Sequence, residues 1–144
     1  MLAKVNSLAV YGIEAYRVEV EVDLSRGIPA DVIVGLPGAA VRESRDRVRA
    51  AINNTGYFYP NKKITVNLAP ADLKKEGPSF DLAIAVGLLL ADGQLESQRV
   101  HDYAIVGELA LDGSVRPVKG CLSMAVAARI ASRTSIPWLP CPFR

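Results

Sequence analysis

The sequence predicts an α+β protein, a mixed sheet with helices packed on it, from three stretches of the chain. Residues 15–24 alternate apolar and charged side chains almost without exception, which is typical of a strand with one buried face. Residues 39–54 place apolar side chains on one helical stripe. Residues 82–91 are a continuous apolar run, which indicates a buried helix. With the shorter elements, the predicted order is β-β-β-α-β-α-β-β-α.

The first strands are predicted at residues 2–10 and 15–24, with a turn at Gly12, and the third at residues 31–35. Because the third strand is short and apolar, we predict a central position in the sheet. The other predicted elements are a helix at 39–54, a strand at 62–69, a helix at 79–91, a strand at 103–107, a hairpin turn at Asp112-Gly113, a return strand at 115–118 on an edge, and a helix at 122–131.

Composition excludes several classes of function. The formal net charge of +2 is too small to predict nucleic-acid binding from bulk electrostatics. The longest apolar run has ten residues, whereas a membrane span needs about 20. Two cysteines, Cys121 and Cys141, and a single histidine, His101, form no metal or disulfide framework. We therefore expect a cytoplasmic protein with reduced thiols, no metal site and no membrane partner.

The glycine-containing turn at residues 35–38 leads from a strand into a helix, as phosphate-binding loops do. A P-loop requires Gly-Lys-Ser/Thr at its end, and Ala39 and Ala40 stand there instead. We therefore interpret the stretch as a tight strand-to-helix turn and expect no ATP hydrolysis from it.

Basic side chains on the first helix and the following strand are candidates for nucleic-acid or partner binding, since a basic stripe can contact phosphates. These candidates are Arg42, Arg45, Arg49, Lys62 and Lys63. Acidic side chains are interspersed on the same helix, which also contains Arg47, and they favour a solvated, salt-bridged face.

Ser79 is the candidate nucleophile, in the stretch Lys74-Lys75-Glu76-Gly77-Pro78-Ser79-Phe80-Asp81. Backbone N–H groups at a helix start can stabilise an oxyanion, but the serine still needs a base. His101 lies in a polar linker, and the reach of Lys74 and Lys75 across the Gly-Pro turn is open. The alternative interpretation is that Ser79 caps its helix.

Several motifs together resemble the N-terminal domain of magnesium chelatase-like AAA+ proteins of the competence-related ComM type. They are VGLPGAAVRESRDRVRAA from Val34, NLAPADLKKEG from Asn67, FDLAIA from Phe80, VGEL from Val106 and DGSVRPVKG from Asp112. The resemblance covers residues 1–131 and implies a Lon protease-like domain with the ribosomal protein S5 domain 2-like fold. Residues 132–144 depart from it, as an atypical tail or a truncated final strand.

The Lon resemblance also bears on catalysis. Gly77-Pro78-Ser79 matches the serine motif of Lon peptidases, whose lysine follows a Gly-x-Val-x-Pro strand and a Gly-Gly. Leu122 stands at the position of that lysine. A leucine cannot accept a proton, so the dyad is broken and Ser79 is a vestigial nucleophile position. Lys119 lies three residues before Leu122 and precedes the predicted helix, so its side chain would extend from a different position.

The resemblance therefore implies a non-catalytic accessory domain. Its role would be in assembly, or in engaging a partner or DNA, during DNA processing. ATP and Mg²⁺ are expected only for the AAA+ module, which is absent from this chain. Expected partners are that module, other copies of the chain, and DNA through the full-length protein. The alternatives are a serine peptidase using Lys119, Lys74 or Lys75 as base, and a nucleic-acid-binding module.

Overall fold

The computed structural model describes residues 1–131 and contains a four-stranded sheet, a short hairpin and three α-helices. The α+β class predicted from the sequence is confirmed. The elements are β1 (Leu2–Tyr11), β2 (Glu14–Ser25), β3 (Ala30–Val34), α1 (Ala39–Asn54), β4 (Lys63–Ala69), α2 (Asp81–Ala91), β5 (Glu108–Leu109), β6 (Val115–Arg116) and α3 (Cys121–Ala131), with a 3₁₀ turn at Val100–Asp102.

The sheet is mixed and runs in the order β1-β2-β4-β3. β1 and β2 form a long antiparallel hairpin, β4 pairs antiparallel with β2, and β3 pairs parallel with β4 through the α1 crossover. Alternate residues of β2, from Val18 to Leu24, are buried on one face. The period of two in the sequence thus reports a real difference between the two faces of the sheet.

The two faces are covered by different helices. α2 packs on β1 and β2 with α1 beside it, and their buried side chains join Val5 and Val20 in the main core. Gly87 permits this close packing, since a Cβ there would lie 2.7 Å from Val22 Cγ2. Leu8 belongs to a second cluster with Met124 and Ala128 of α3. Because neighbouring strand residues face opposite sides, α3 lies on the reverse face.

The predicted central position of β3 is wrong, because β3 lies at the edge of the sheet that residues 1–131 form. β4 pairs with the free side of β2, so the β3–α1–β4 crossover leaves β3 outside. Val32 and Val34 are accordingly 43% and 41% exposed. A five-residue apolar strand is too short for its pattern to distinguish an edge from a centre.

Several predicted boundaries also change. Residues 103–107 form no strand but an extended segment with one parallel bridge, between Ala104 and Asn6. Ile105 N–H donates to Asn6 O (2.8 Å) at this bridge, whereas Gly107 N–H donates to Ser79 O (2.9 Å). The hairpin at Asp112-Gly113 is confirmed with shorter strands, and α2 begins at Asp81 rather than at Ser79. The predicted tail at 132–144 lies outside the described residues.

No helix among residues 1–131 combines the length and apolar character that a membrane crossing requires.

Candidate functional site

Ser79 lies in a turn between Gly77, which has φ +80°, and the first turn of α2. The N-cap residue of α2 is Phe80, and no side chain caps this helix, so the interpretation of Ser79 as a cap is wrong. The backbone fixes the junction instead. Gly107 N–H donates to Ser79 O, and Leu82 N–H donates to Gly107 O at 3.1 Å. This two-bond contact clamps the start of α2 to the segment that leads into β5.

Ser79 is buried, with 7% of its surface exposed, and has no base among the described lysines. Within residues 1–131, no lysine amine is hydrogen-bonded to its hydroxyl. Lys74 is exposed and pairs with Glu76 at 2.6 Å. Lys119 is exposed, and Leu122 is 77% exposed at the position where the resemblance places a lysine. Within residues 1–131, no lysine amine is therefore placed to take the Ser79 proton through a direct hydrogen bond.

Lys75 is fully buried, which sequence reasoning did not predict. Its ammonium donates to Gly35 O at 3.0 Å and also to Pro70 O. Burial lowers the pKa of Lys75, and the negative charge of Asp72 opposes that shift. A lowered pKa would suit a base, but both carbonyls accept hydrogen bonds from the protonated amine. Lys75 thus fastens two loops together instead of activating Ser79.

The backbone reinforces this fastening. Lys75 N–H donates to Leu36 O at 3.1 Å, and Gly38 N–H donates to Lys75 O at 2.8 Å. Gly35 has φ +95°, and a Cβ there would lie 2.2 Å from Leu68 O. The turn at residues 35–38 is therefore packed closely against Leu68 and Lys75. Its backbone does not form an open cradle, and it lacks a phosphate-binding lysine, so a nucleotide with Mg²⁺ does not fit these residues.

A second buried charge lies at the start of α2. Asp81 is fully buried and accepts two hydrogen bonds from Arg47, from Nε at 2.7 Å and from Nη2 at 3.1 Å. Leu109 N–H donates to the same carboxylate at 3.1 Å. The hydrogen bond to Asp81 is the main reason that the pKa of Arg47 is raised. Arg47 therefore departs from the solvated face predicted for α1, because it reaches across to α2 and β5.

The remaining basic candidates are exposed, and three of them line one open cleft of about 580 Å³ between α1 and the chain before β4. Those three are Arg45, Arg49 and Lys62. Arg42 and Lys63 are exposed but do not line it. The sequence spacing alone did not indicate that Lys62 would join the α1 arginines.

Most of the positive charge in this cleft is compensated. Arg49 Nη2 lies 2.6 Å from Asp31 Oδ2, and its guanidinium stacks over the Tyr59 ring at 4.6 Å. Lys62 Nζ lies 2.6 Å from an oxygen of Asp92. Arg45 lies 3.4 Å from its neighbour Asp46, whose side chain is exposed. Two arginines of α1 thus pair with the interspersed acids as predicted, Arg45 with Asp46 and Arg47 with Glu43 at 3.7 Å. Arg47 differs from the prediction because it also pairs with the buried Asp81.

The mixed sheet, the helices on its two faces and the Gly-Pro-Ser junction define a Lon-like α+β domain of the ribosomal S5 type. The profile of the family described as "Subunit ChlI of Mg-chelatase" matches residues 20–137. The chain belongs to this family, which confirms the predicted magnesium chelatase-like resemblance.

Individual relatives agree. The chain is 50% identical over 135 residues to the uncharacterised protein YifB of Escherichia coli and 48% identical over 135 residues to the competence protein ComM of Haemophilus influenzae. Each alignment covers 94% of this chain but only 27% and 26% of the relative. Lon protease 1 of Bacillus subtilis is 29% identical over 140 residues, 92% of this chain and 18% of that protein. The chain spans about a quarter of the length of YifB and ComM.

Proposed function

We propose that this chain is a non-catalytic accessory domain of a magnesium chelatase-like ATPase, serving assembly or the engagement of a partner or DNA during DNA processing. ATP and Mg²⁺ would be bound by the AAA+ module of the longer protein and not by these residues. That module, other copies of the chain and, through the whole protein, DNA are the proposed partners, and the cytoplasm is the proposed compartment.

The observation that carries the proposal is the state of the Ser79 junction. Family membership supplies the Lon-like scaffold, yet the buried Ser79 has no lysine partner within the described chain, and Leu122 is an exposed apolar residue. Lys75, the one buried lysine near the junction, is held by Gly35 O and Pro70 O. The scaffold of a peptidase without a proton acceptor supports a role in binding rather than in hydrolysis.

Fluorophosphonate labelling tests the absence of hydrolase chemistry. We expect no labelling of the 144-residue chain under conditions that label a known serine hydrolase fully. A band that is present in the parent chain and lost in Ser79→Ala would show an activated serine and would overturn the non-catalytic assignment.

A chimera tests the accessory role. In the full-length E. coli relative, the matched segment is replaced by the corresponding residues of this chain. We expect ATP hydrolysis by the chimera at about the rate of the unmodified relative, and none by the 144-residue chain alone. Hydrolysis by the short chain, or an unaltered rate after the segment is deleted from the relative, would contradict an accessory role for this domain.

A nucleic-acid-binding role is the second candidate, favoured by the convergence of Arg45, Arg49 and Lys62 on one cleft. Binding through phosphates must weaken as salt rises, because counterions are released on association. Fluorescence anisotropy with single- and double-stranded DNA at several salt concentrations measures this. Lys62→Gln and Arg45→Gln should weaken binding, whereas Arg99→Gln, at an exposed site that does not line the cleft, serves as the control. Equal affinity for all three variants would exclude the cleft.

A further inference from the structure

We propose that the outer face of α3, formed by Leu122, Val126 and Ile130, docks on the polypeptide that lies outside the matched region in the full-length relatives. This inference rests on the proposed accessory role and names the surface through which the domain would be held. The partner surface is apolar, and the contact is made within one longer chain.

The face is an unusual one for a solvated helix. Leu122, Val126 and Ile130 recur every four residues and are 77%, 51% and 69% exposed, so they form one apolar stripe. A helix on the surface of a globular protein normally presents charged and polar side chains to water. α3 contains one charged residue, Arg129, in eleven. The α3 sequence is therefore suited to pack against apolar surfaces on both its inner and its outer face.

The inner side of α3 is already packed. Met124 and Ala128 are buried with Leu8 of β1, and the loop before the helix is close to the same strand. A Cβ on Gly120 would lie 2.5 Å from Val10 Cγ2, so the helix start is set tightly against β1. The exposed stripe is thus presented by a helix with a fixed position on the sheet. Within residues 1–131, no buried apolar cluster includes the stripe.

The size of the stripe and the length of the relatives together identify the occupant. Three aliphatic side chains cover roughly 300 Å². A stable interface between separate molecules needs about 800 Å² from each partner, so a second copy held by this stripe alone would associate weakly. This region is only 27% of the E. coli relative, so most of that chain is covalently joined to it. A surface tethered in the same chain meets the stripe at an effective concentration in the millimolar range, so a small apolar contact is enough to hold it.

Cysteine accessibility tests the docking. In a background with Cys121→Ser and Cys141→Ser, a reporter cysteine is placed by Val126→Cys on the stripe or by Glu96→Cys on the exposed loop between α2 and the 3₁₀ turn. Maleimide labelling is measured in the 144-residue chain and in the E. coli chimera described above. We expect Val126→Cys to react at least about tenfold more slowly in the chimera, a ratio corresponding to burial in most molecules. Glu96→Cys should react equally in both.

Equal labelling of Val126→Cys in both proteins would overturn the inference. Protection already present in the 144-residue chain, increasing with concentration and accompanied by a doubled mass in light scattering, would assign the face to a second copy and also overturn it. Hydrogen exchange of residues 121–131 in the unsubstituted chimera repeats the measurement without cysteines. ATP hydrolysis by the chimera reports separately on the accessory role, so hydrolysis without protection would refute the docking alone.

Discussion

Arg47 of α1 and Asp81 of α2 form a bidentate ion pair in which the carboxylate is fully buried and the guanidinium is one-fifth exposed. Arg47 Nη2 also donates to Ala40 O at 2.9 Å, and Asp81 also accepts from Leu109 N–H. The pair therefore joins both helices and β5 at the Ser79 junction. Its position explains how the junction keeps its shape without a capping side chain.

Neutralising one partner of this pair should destabilise the protein. Asp81→Asn removes the buried counter-ion of Arg47 and leaves only the exposed Glu43, at 3.7 Å, so we expect a loss of about 3 kcal/mol in the free energy of unfolding. Urea denaturation measures it. Asp46→Asn removes an exposed carboxylate of α1, the helix that contains Arg47, and should change stability by less than about 0.5 kcal/mol. Arg47→Met combined with Asp81→Leu should recover part of the loss, and strict additivity would show that the two side chains act independently.

Adjacent lysines provide a matched test of the loop fastening. Lys75→Met keeps the aliphatic stem but removes the donor to the carbonyls of Gly35 and Pro70. We expect a loss of about 2 kcal/mol or more in urea denaturation, because buried acceptors are left unsatisfied. Lys74→Met breaks only an exposed pair with Glu76 and should cost less than about 0.5 kcal/mol. Similar values for both variants would contradict the fastening role.

Two glycines with positive φ should respond differently to alanine. Gly35→Ala combines a left-handed backbone with a clash against Leu68 O, and we expect a loss of at least about 3 kcal/mol. Gly12→Ala has φ +64° but nothing within 4 Å of the added Cβ. Only the backbone penalty applies there, about 1–2 kcal/mol. Thermal and urea unfolding of the two variants compare these costs, and a Gly35→Ala variant as stable as Gly12→Ala would refute the close approach.

Tyr59 should make stability fall at alkaline pH. Burial, aided by the negative charge of Asp31, raises the pKa of Tyr59 to about 12 from its ordinary value of 10.0. The unfolded chain then loses this proton first, so the stabilisation is present below pH 10 and is lost as pH rises towards 12. Allowing for partial exposure, we expect a loss of about 1–2 kcal/mol. Tyr59→Phe should reduce the fall in urea stability between these pH values, and an identical fall in both proteins would contradict the assignment.

Much of the fold could be predicted from local pattern. The alternation of β2 and the bounds of α1 at Ala39–Asn54 are as the sequence indicated, because side-chain periodicity reports directly which face is buried. The Asp112-Gly113 turn was also correct, since its dipeptide favours a tight hairpin. The candidate site was predicted less well. Ser79 was predicted as a candidate, but the residues around it were not. The basic side chains of α1 were also predicted, but not the cleft that Arg45, Arg49 and Lys62 line together.

The sequence by itself determined the class of fold, the family and the replacement of the expected lysine by Leu122, because these depend on residue type and on order along the chain. Only the tertiary structure decided that β3 is an edge strand, that Lys75 is buried between two loops and that Arg47 pairs with Asp81. Each of these depends on contacts between residues 30 or more positions apart, as between Lys75 and Gly35. Such contacts leave no local periodicity, since chain topology and the need to satisfy buried polar groups select them.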